Sequence, residues 1–314
     1  MTVNKRVWMN AIIIAILIVV PLLIKRTDLI TWFTYTLLYI ALAQSWNIIG
    51  GYAGQQNLGH AAFFGIGALC TRFLWLYGWP LPLAIVSGAL AATIFAVIIG
   101  FPAFRLRGVY FIIGTLVLAE ILKIIFYTVL PHASVLPSKL LSSYSLVPRY
   151  YLGLAVAIVT VAAVYWISRS RLGLGLMSIR EDEDAAEAAG VNTLRYKLTA
   201  FLISTFFAGM TGGVYAYFAA AALPGAMFSA EWTFDAVIIV FVGGVGTIVG
   251  PIIGSVFFVL LQQLLSLYLT GGSHVLVFGI LFIIVVLYLP GGLIGLVARL
   301  RKSSPQKESR QIAA

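Results

Sequence analysis

The sequence predicts an all-α polytopic membrane protein with about ten transmembrane helices, and three observations lead to this fold class. The mean hydropathy is +1.04, and 61% of the 314 residues are hydrophobic. Charged residues make up only 10% of the chain, well below the share of about 25% that is usual in soluble domains. Apolar stretches of about 20 residues, the length that one crossing requires, recur along nearly the whole sequence.

The expected spans follow one another with turn-forming residues at many of the breaks, among them Gly50-Gly51, Pro131 and Gly271-Gly272. We interpret the first apolar run as a retained span rather than a cleaved signal sequence, because no small-x-small cleavage site follows it. The ten predicted spans lie near residues 8–24, 30–49, 59–78, 82–101, 110–130, 150–168, 197–222, 233–249, 252–270 and 275–297.

The distribution of lysine and arginine predicts the orientation of these spans. If the N-terminus is cytoplasmic, 14 of the 20 basic residues lie on the cytoplasmic side, four lie outside, and Arg72 and Lys123 lie within spans. Short cytoplasmic loops retain positive charge, so we expect both termini to be cytoplasmic. The net charge of +10 then reflects topology. It does not indicate nucleic-acid binding, since the basic residues form no single stripe.

An acidic segment interrupts this apolar chain. Five of the ten acidic residues fall between Glu181 and Glu187, in the longest predicted cytoplasmic loop. Ser178 with Glu181 fits a capping box, the alanines that follow favour helix, and Gly190 is placed to end it. The pattern predicts a short cytoplasmic helix. Such a helix could be a simple soluble connector, or its small alanine face could dock another protein.

The motif Asp184-Ala185-Ala186-x-x-x-Gly190 resembles the "EAA---G" loop of ABC importer permeases, with aspartate in place of the usual glutamate. Three longer stretches are similar to the branched-chain amino acid ABC transporter permease family, in particular to its LivM-type subunits. They are GYAGQQNLGHAAFFGIGAL (51–69), IREDEDAAEAAGVNTLRYKLTAFLISTFFAGMTGGVYA (179–216) and FVGGVGTIVGPIIGSVF (241–257).

This resemblance implies the architecture of an ABC importer permease with a cytoplasmic coupling helix. Residues 1–298 would form one transmembrane permease domain, with the coupling loop at about 169–197, and residues 299–314 a basic, disordered cytoplasmic tail. The residues implied in coupling to an ATPase are Glu181, Asp182, Asp184, Ala185, Ala186, Glu187 and Gly190.

The resemblance also implies a set of partners in the inner membrane of a bacterial cell. These are a second related permease subunit, forming a heterodimer, two cytoplasmic ABC ATPases, and an external solute-binding protein. The chain has no G-x-x-x-x-G-K-[ST] phosphate loop, so we expect that it does not hydrolyse ATP itself. The resemblance implies a transport subunit rather than an enzyme. The chain would bind no cofactor itself, and ATP and magnesium would reside on the ATPases.

The implied solutes are leucine, isoleucine and valine, although permeases for urea or short amides resemble the same family. A secondary transporter driven by protons or sodium is a further alternative, and Glu120 and Asp235 would then be its coupling groups. The acidic loop favours the ABC interpretation, because the other classes of transporter do not explain it.

Candidate residues for the solute pathway lie between the second and third spans, at Asn47, Gln55, Asn57 and His60. Irregular polar backbone at membrane depth is tolerated where it is buried in protein or lines a water-filled cavity, and broken helices often mark transport sites. The alternative is an ordinary cytoplasmic loop in which His60 caps the next helix. A metal site at His60 is not expected, since no other histidine lies at ligand spacing.

Four charged residues lie within or near the predicted spans. Glu120 and Lys123 are one helical turn apart, so they can neutralise each other. Arg72 and Asp235 could pair with each other or with nothing. Glycines spaced four residues apart, as at Gly209 and Gly213, predict close helix packing in lipid.

Overall fold

The computed structural model describes residues 3–23, 26–130, 144–220 and 223–268, together with short pieces between 276 and 295. In these ranges every regular element is helical. The α-helices are α1 (Val3–Leu23), α2 (Thr27–Trp46), α3 (His60–Leu76), α4 (Leu81–Ala103), α5 (Val109–Val129), α6 (Leu146–Arg169), α7 (Arg171–Glu181), α8 (Glu183–Ala188), α9 (Thr193–Phe218), α10 (Pro224–Met227), α11 (Glu231–Gly243) and α12 (Val249–Tyr268), and a π-helix follows α2 at Asn47–Tyr52.

Six segments in the described ranges are long and apolar enough to cross a membrane, namely α4, α5, α6, α9, the α10–α11 segment and α12 up to Ser266. A multi-pass membrane protein is thereby confirmed, but the predicted total of about ten spans is not. Helix α3 is apolar yet only 17 residues long, and α2 is not among the six segments. About half of the tenth predicted span falls outside the described residues, and the tail at 299–314 falls entirely outside them.

Helix α2 tolerates its polar residues because it runs inside the bundle. Every residue from Leu37 to Trp46 is buried, including Gln44 and Ser45. A buried helix can carry amides and hydroxyls where neighbouring protein groups satisfy their hydrogen bonds. The polar residues at the end of α2 are therefore compatible with a helix that is buried in protein.

Helices α3, α4 and α9 pack closely because small residues line their contacts. A Cβ added at Gly67 of α3 would overlap the carbonyl of Gly209 in α9, and one added at Gly212 would overlap the carbonyl of Phe64. Gly209 also lies against Ala89 and Ala92 of α4. The predicted role of Gly209 in close helix packing is confirmed, since contact of this kind is how small residues associate helices in lipid.

Two interruptions shape the bundle. The π-helix and the irregular residues up to Gly59 separate α2 from α3, and a glycine-rich turn separates α11 from α12. Gly243 and Gly250 touch across that turn, so a Cβ at Gly243 would meet the carbonyl of Gly250. The interruptions keep α3 and α11 short and bring non-helical backbone into the bundle.

Candidate coupling and translocation site

The segment between α6 and α9 forms two short helices, α7 and α8, joined at Asp182. The Oδ1 atom of Asp182 accepts a hydrogen bond from the backbone N–H of Ala185 at 2.9 Å, which caps α8. The predicted capping box at Ser178 is wrong, because Ser178 lies inside α7 and its hydroxyl donates to the carbonyl of Gly175. The predicted end at Gly190 is confirmed by a φ of +87°, a conformation that favours glycine.

Helix α8 presents an acidic and alanine-rich surface. Glu181, Asp182, Asp184, Ala185 and Glu187 are exposed, and we name these five residues the coupling surface. They were predicted to contact an ATPase, which stays a prediction.

Ala186 does not belong to the coupling surface, because it is only 5% exposed and faces the protein. Glu183 also turns toward the bundle, where it forms an ion pair with the buried Lys197 of α9. Both residues fasten α8 to the rest of the chain. The predicted participation of Ala186 in docking can therefore only be indirect.

Hydrogen bonds from buried side chains hold the irregular segment after the π-helix. The indole N–H of Trp46 donates to the carbonyl of Asn57 at 2.8 Å, and the Asn57 side-chain oxygen accepts from the N–H of Gly59 at 2.8 Å. The N–H of Leu58 donates to the Thr115 hydroxyl of α5 at 3.2 Å. Asn57, a pathway candidate, is thus buried and helps to fix its own loop.

Asn47 joins the two interruptions of the bundle. Its side-chain nitrogen donates to the carbonyl of Thr247 at 2.9 Å, and its side-chain oxygen accepts from the N–H of Gly246 at 2.9 Å. Both ends of the amide are therefore used by the turn between α11 and α12. A Cβ added at Gly51 would overlap the side-chain oxygen of Asn47 and lie 2.9 Å from the nitrogen of Gly246, so glycine at position 51 leaves the space that this amide occupies.

His60 begins α3 and is fully buried. Its Nε2 atom lies 2.8 Å from the Ser45 hydroxyl of α2, while the N–H of Ala61 donates to the Thr233 hydroxyl of α11 at 2.7 Å. The alternative in which His60 caps α3 is wrong, since Gly59 is the N-cap residue and no side chain caps the helix. The first turn of α3 instead contacts α2 and α11.

The exposed part of the irregular segment is small. Gly54 and Gln56 are exposed and Gln55 is half-buried, whereas Asn47, Asn57 and His60 are buried. The four pathway candidates therefore lie in one interrupted region, but only Gln55 retains access to a surface of this chain. None of the four is tested as a solute contact.

Arg180 of α7 reaches the same region. Its Nη1 atom donates to the carbonyl of Gly51 in the π-helix at 2.7 Å. A Cβ added at Gly246 would lie 2.5 Å from that nitrogen, so the guanidinium also lies against the turn between α11 and α12. The α7–α8 segment and the interruptions of the bundle are consequently in direct contact.

Arg72 and Asp235 do not pair with each other. Arg72 is fully buried and donates to the carbonyls of Ala216, Ala219 and Ala220 at 2.8, 3.3 and 3.1 Å, at the end of α9. Asp235 accepts a hydrogen bond from the Tyr39 hydroxyl at 2.9 Å. Both interactions connect helices that are distant in sequence.

Glu120 and Lys123 form the ion pair that their spacing predicts. Lys123 Nζ lies 3.2 Å from Glu120 Oε2, and the side chains are 41% and 35% exposed for glutamate and lysine respectively. The pair lies in α5, and most residues of this helix are not buried within this chain. A charged pair therefore lies partly open on an otherwise apolar helix.

A family model covers most of the chain. The model described as the permease component of the branched-chain amino acid transport system matches residues 28–286. The chain belongs to this permease family.

Curated relatives agree with the family match. The high-affinity branched-chain amino acid transport system permease protein LivM of Salmonella typhimurium strain LT2 is 28% identical, over 99% of this chain and 80% of its own length. The protein of the same description from Escherichia coli K12 is 27% identical, over 93% and 76%. A probable LivM from Methanocaldococcus jannaschii is 24% identical, over 85% and 92%. No solved structure matches this chain.

Membership in the permease family points to a transport subunit of an ABC system rather than to an enzyme. In the ranges that the structure describes, no three His, Cys, Asp or Glu side chains are grouped so as to hold a metal ion.

Sequence reasoning did not find several residues of the interrupted region. Ser45 follows Gln44 and precedes Asn47, and this polar run at the end of an apolar span was a usable signal. Arg180 was assigned only to the positive side of the membrane, although it lies within the acidic motif. Tyr39 and Thr233 gave no local signal, because their partners are far away in sequence.

Proposed function

We propose that this chain is the permease subunit of an ATP-driven ABC importer that moves leucine, isoleucine and valine across the bacterial inner membrane. One observation carries the proposal beyond family membership: the exposed, acidic α7–α8 segment is in direct contact with the interrupted helices of the bundle. A mere soluble connector needs no such contact. The segment is built to pass a movement from its exposed surface into the bundle.

In this proposal, two cytoplasmic ATPases supply the energy. Each permease subunit offers one coupling surface, and closure of the ATPases upon ATP binding draws the two surfaces together. The attached helices then shift between outward-open and inward-open arrangements. The α7–α8 segment and both termini lie on the cytoplasmic side, in agreement with the lysine and arginine bias of the loops.

A second permease subunit forms the other half of the pathway. The half-exposed Glu120–Lys123 pair supports this part of the proposal. Ionised side chains within a span face protein or water rather than lipid, because exposure to hydrocarbon costs several kcal/mol. The α5 surface with this pair therefore faces the partner permease or the water-filled path between the two chains.

Solute passes this chain at the exposed rim of the irregular segment. Gln55 is the pathway candidate there, since both ends of the Asn47 amide bond to the backbone of the chain and Asn57 is fully buried. Contact with amide groups is weak, which suits an importer that receives solute from an external binding protein and must release it inside.

Uptake measurements test the proposal. The permease pair, the ATPases and the binding protein are reconstituted in proteoliposomes, and uptake of radiolabelled leucine is measured with and without ATP on the ATPase side. The proposal predicts ATP-dependent uptake that excess isoleucine or valine reduces and urea does not.

The same measurement distinguishes the alternatives. Competition by urea or short amides, without competition by valine, would indicate the related class of amide permeases. Uptake that needs no ATP and stops when a proton or sodium gradient is collapsed would indicate a secondary transporter. Either result would refute the proposed import of branched-chain amino acids by an ABC system.

A further inference from the structure

One arginine of the α7–α8 segment contacts both interruptions of the bundle. Arg180 lies one residue before the end of α7 and donates to the Gly51 carbonyl at 2.7 Å. A Cβ added at Gly54 would lie 3.0 Å from Arg180 Cγ, so the aliphatic stem rests against the irregular segment. Nη1 also lies next to Gly246, where an added Cβ would approach to 2.5 Å.

The contacts of Arg180 do not stabilise α7 itself. The end of α7 is closed by its own backbone, with the N–H of Asp182 donating to the carbonyl of Ser178 at 3.1 Å. Arg180 is an exposed residue that extends away from α7 toward the bundle. Its replacement would leave no buried cavity, so the cost to folding should be small.

The two interruptions that Arg180 touches are already tied together. Asn47 in the π-helix bonds to the backbone of Gly246 and Thr247 in the other interruption. We name Asn47, Gly51, Gly246 and Arg180 the junction. The junction therefore connects α7 to α2, through the π-helix, and to α11 and α12, through their turn.

We infer that Arg180 is the positioning residue through which a movement of the α7–α8 segment is transmitted to the interrupted helices during transport. The inference rests on the proposed function, because it presumes that an ATPase moves this segment. Arg180 need not contact the solute or the ATPase. Its fixed planar guanidinium is suited to the role, since it can meet a backbone carbonyl at a defined angle.

The test uses the complete transporter with Arg180→Gln and Arg180→Lys, and with Arg171→Gln as the matched control. Arg171 is an exposed arginine in the first turn of the same helix. For each variant we would measure copurification of the ATPases, basal ATP hydrolysis, and ATP-driven leucine uptake. Arg180→Gln should retain copurification and basal hydrolysis while uptake falls about tenfold, the scale of one lost charge-assisted hydrogen bond.

Arg180→Lys should recover part of the uptake, since it keeps the charge but not the fork geometry, and Arg171→Gln should remain within about twofold of the parent protein. Uptake within about twofold of the parent for Arg180→Gln would overturn the inference. A parallel loss of uptake, hydrolysis and copurification would also overturn it, because Arg180 would then serve assembly or docking. If the parent transporter itself shows no ATP-driven uptake, the proposed function fails, and the inference fails with it.

A second measurement reports on the movement directly. Gln56 is exposed beside Gly54, so Gln56→Cys in a Cys70→Ala background can be labelled by a water-soluble maleimide. The labelling rate should differ between the nucleotide-free and ATP-bound complex, and Arg180→Gln should abolish that difference. A difference that persists in Arg180→Gln would contradict transmission through this residue.

Discussion

Replacement of Asn47 by leucine should uncouple the two interruptions of the bundle. Leucine is similar in size but cannot bond to the Gly246 N–H or the Thr247 carbonyl, each now 2.9 Å from the amide. A backbone group left without a partner costs about 1–3 kcal/mol. Gly246 and Thr247 are only half-buried, so the lower value applies to each, and the free energy of unfolding should fall by about 2 kcal/mol.

The assay is thermal unfolding of the purified chain in a mild detergent, followed by uptake in proteoliposomes. A loss of about 2 kcal/mol corresponds to a midpoint about 3 °C lower, because the entropy of unfolding is about 2.1 cal/mol/K per residue and the chain has 314 residues. Gln56→Leu serves as the control, since it removes an exposed amide from the same segment. An unchanged midpoint and unchanged uptake in Asn47→Leu would refute the structural role given to this amide.

Three further substitutions have defined outcomes. Arg72→Leu leaves the carbonyls at the end of α9 without their donor, so thermal unfolding should show a loss of about 3 kcal/mol or more; a midpoint equal to that of the parent would contradict this. Lys123→Ala leaves Glu120 unpaired in the span, so uptake should fall further in this variant than in the double variant Glu120→Ala/Lys123→Ala. Equal uptake in the two variants would show that the two charges are not coupled. Ala186→Trp should destabilise the fold, whereas Ala185→Trp on the exposed coupling surface should lower only ATPase copurification; the opposite order would contradict the burial of Ala186.

The fold class was predictable because hydropathy is a property of each segment alone. Six spanning segments follow from apolar length, and α3 agrees with its predicted span to within two residues at each end. Helix α11 ends at Gly243, before the predicted end near residue 249, because the glycine-rich turn interrupts the chain there. The π-helix at 47–52 was not predictable from propensity, since Gly50 and Gly51 suggest only a break. Within the π-helix, Asn47 bonds to Gly246, which lies 199 residues later in the sequence, so no local pattern reveals this contact.

The acidic motif shows where local rules succeed and where they fail. Gly190 ends its helix by a local conformational preference, and that prediction is confirmed. Ser178 satisfies the same kind of local rule, yet α7 continues through it because Leu176 and Ile179 are buried against the bundle. Packing moved the helix start to Asp182, a residue that caps equally well.

The partners of buried polar residues were not predictable from one sequence. Arg72 and Asp235 could be recognised as embedded charges, but the α9 carbonyls and the Tyr39 hydroxyl lie on other helices. Such pairings depend on how helices are arranged, which hydropathy does not encode. The irregular segment that contains the pathway candidates was predictable, because its glycines and polar residues interrupt an apolar sequence. That these residues contact the solute stays a prediction.

Cross-linking from the coupling surface tests the central claim, that an ATPase drives this permease through the α7–α8 segment. In a Cys70→Ala background, Glu187→Cys carries a cleavable cross-linker in native membranes, and Tyr77→Cys, exposed beyond the other end of α3, is the control. The account predicts that mass spectrometry identifies a chain with an ATP-binding phosphate loop bound to residue 187 and not to residue 77. Recovery of no ATPase from residue 187, with the variant folded and inserted, would contradict the account.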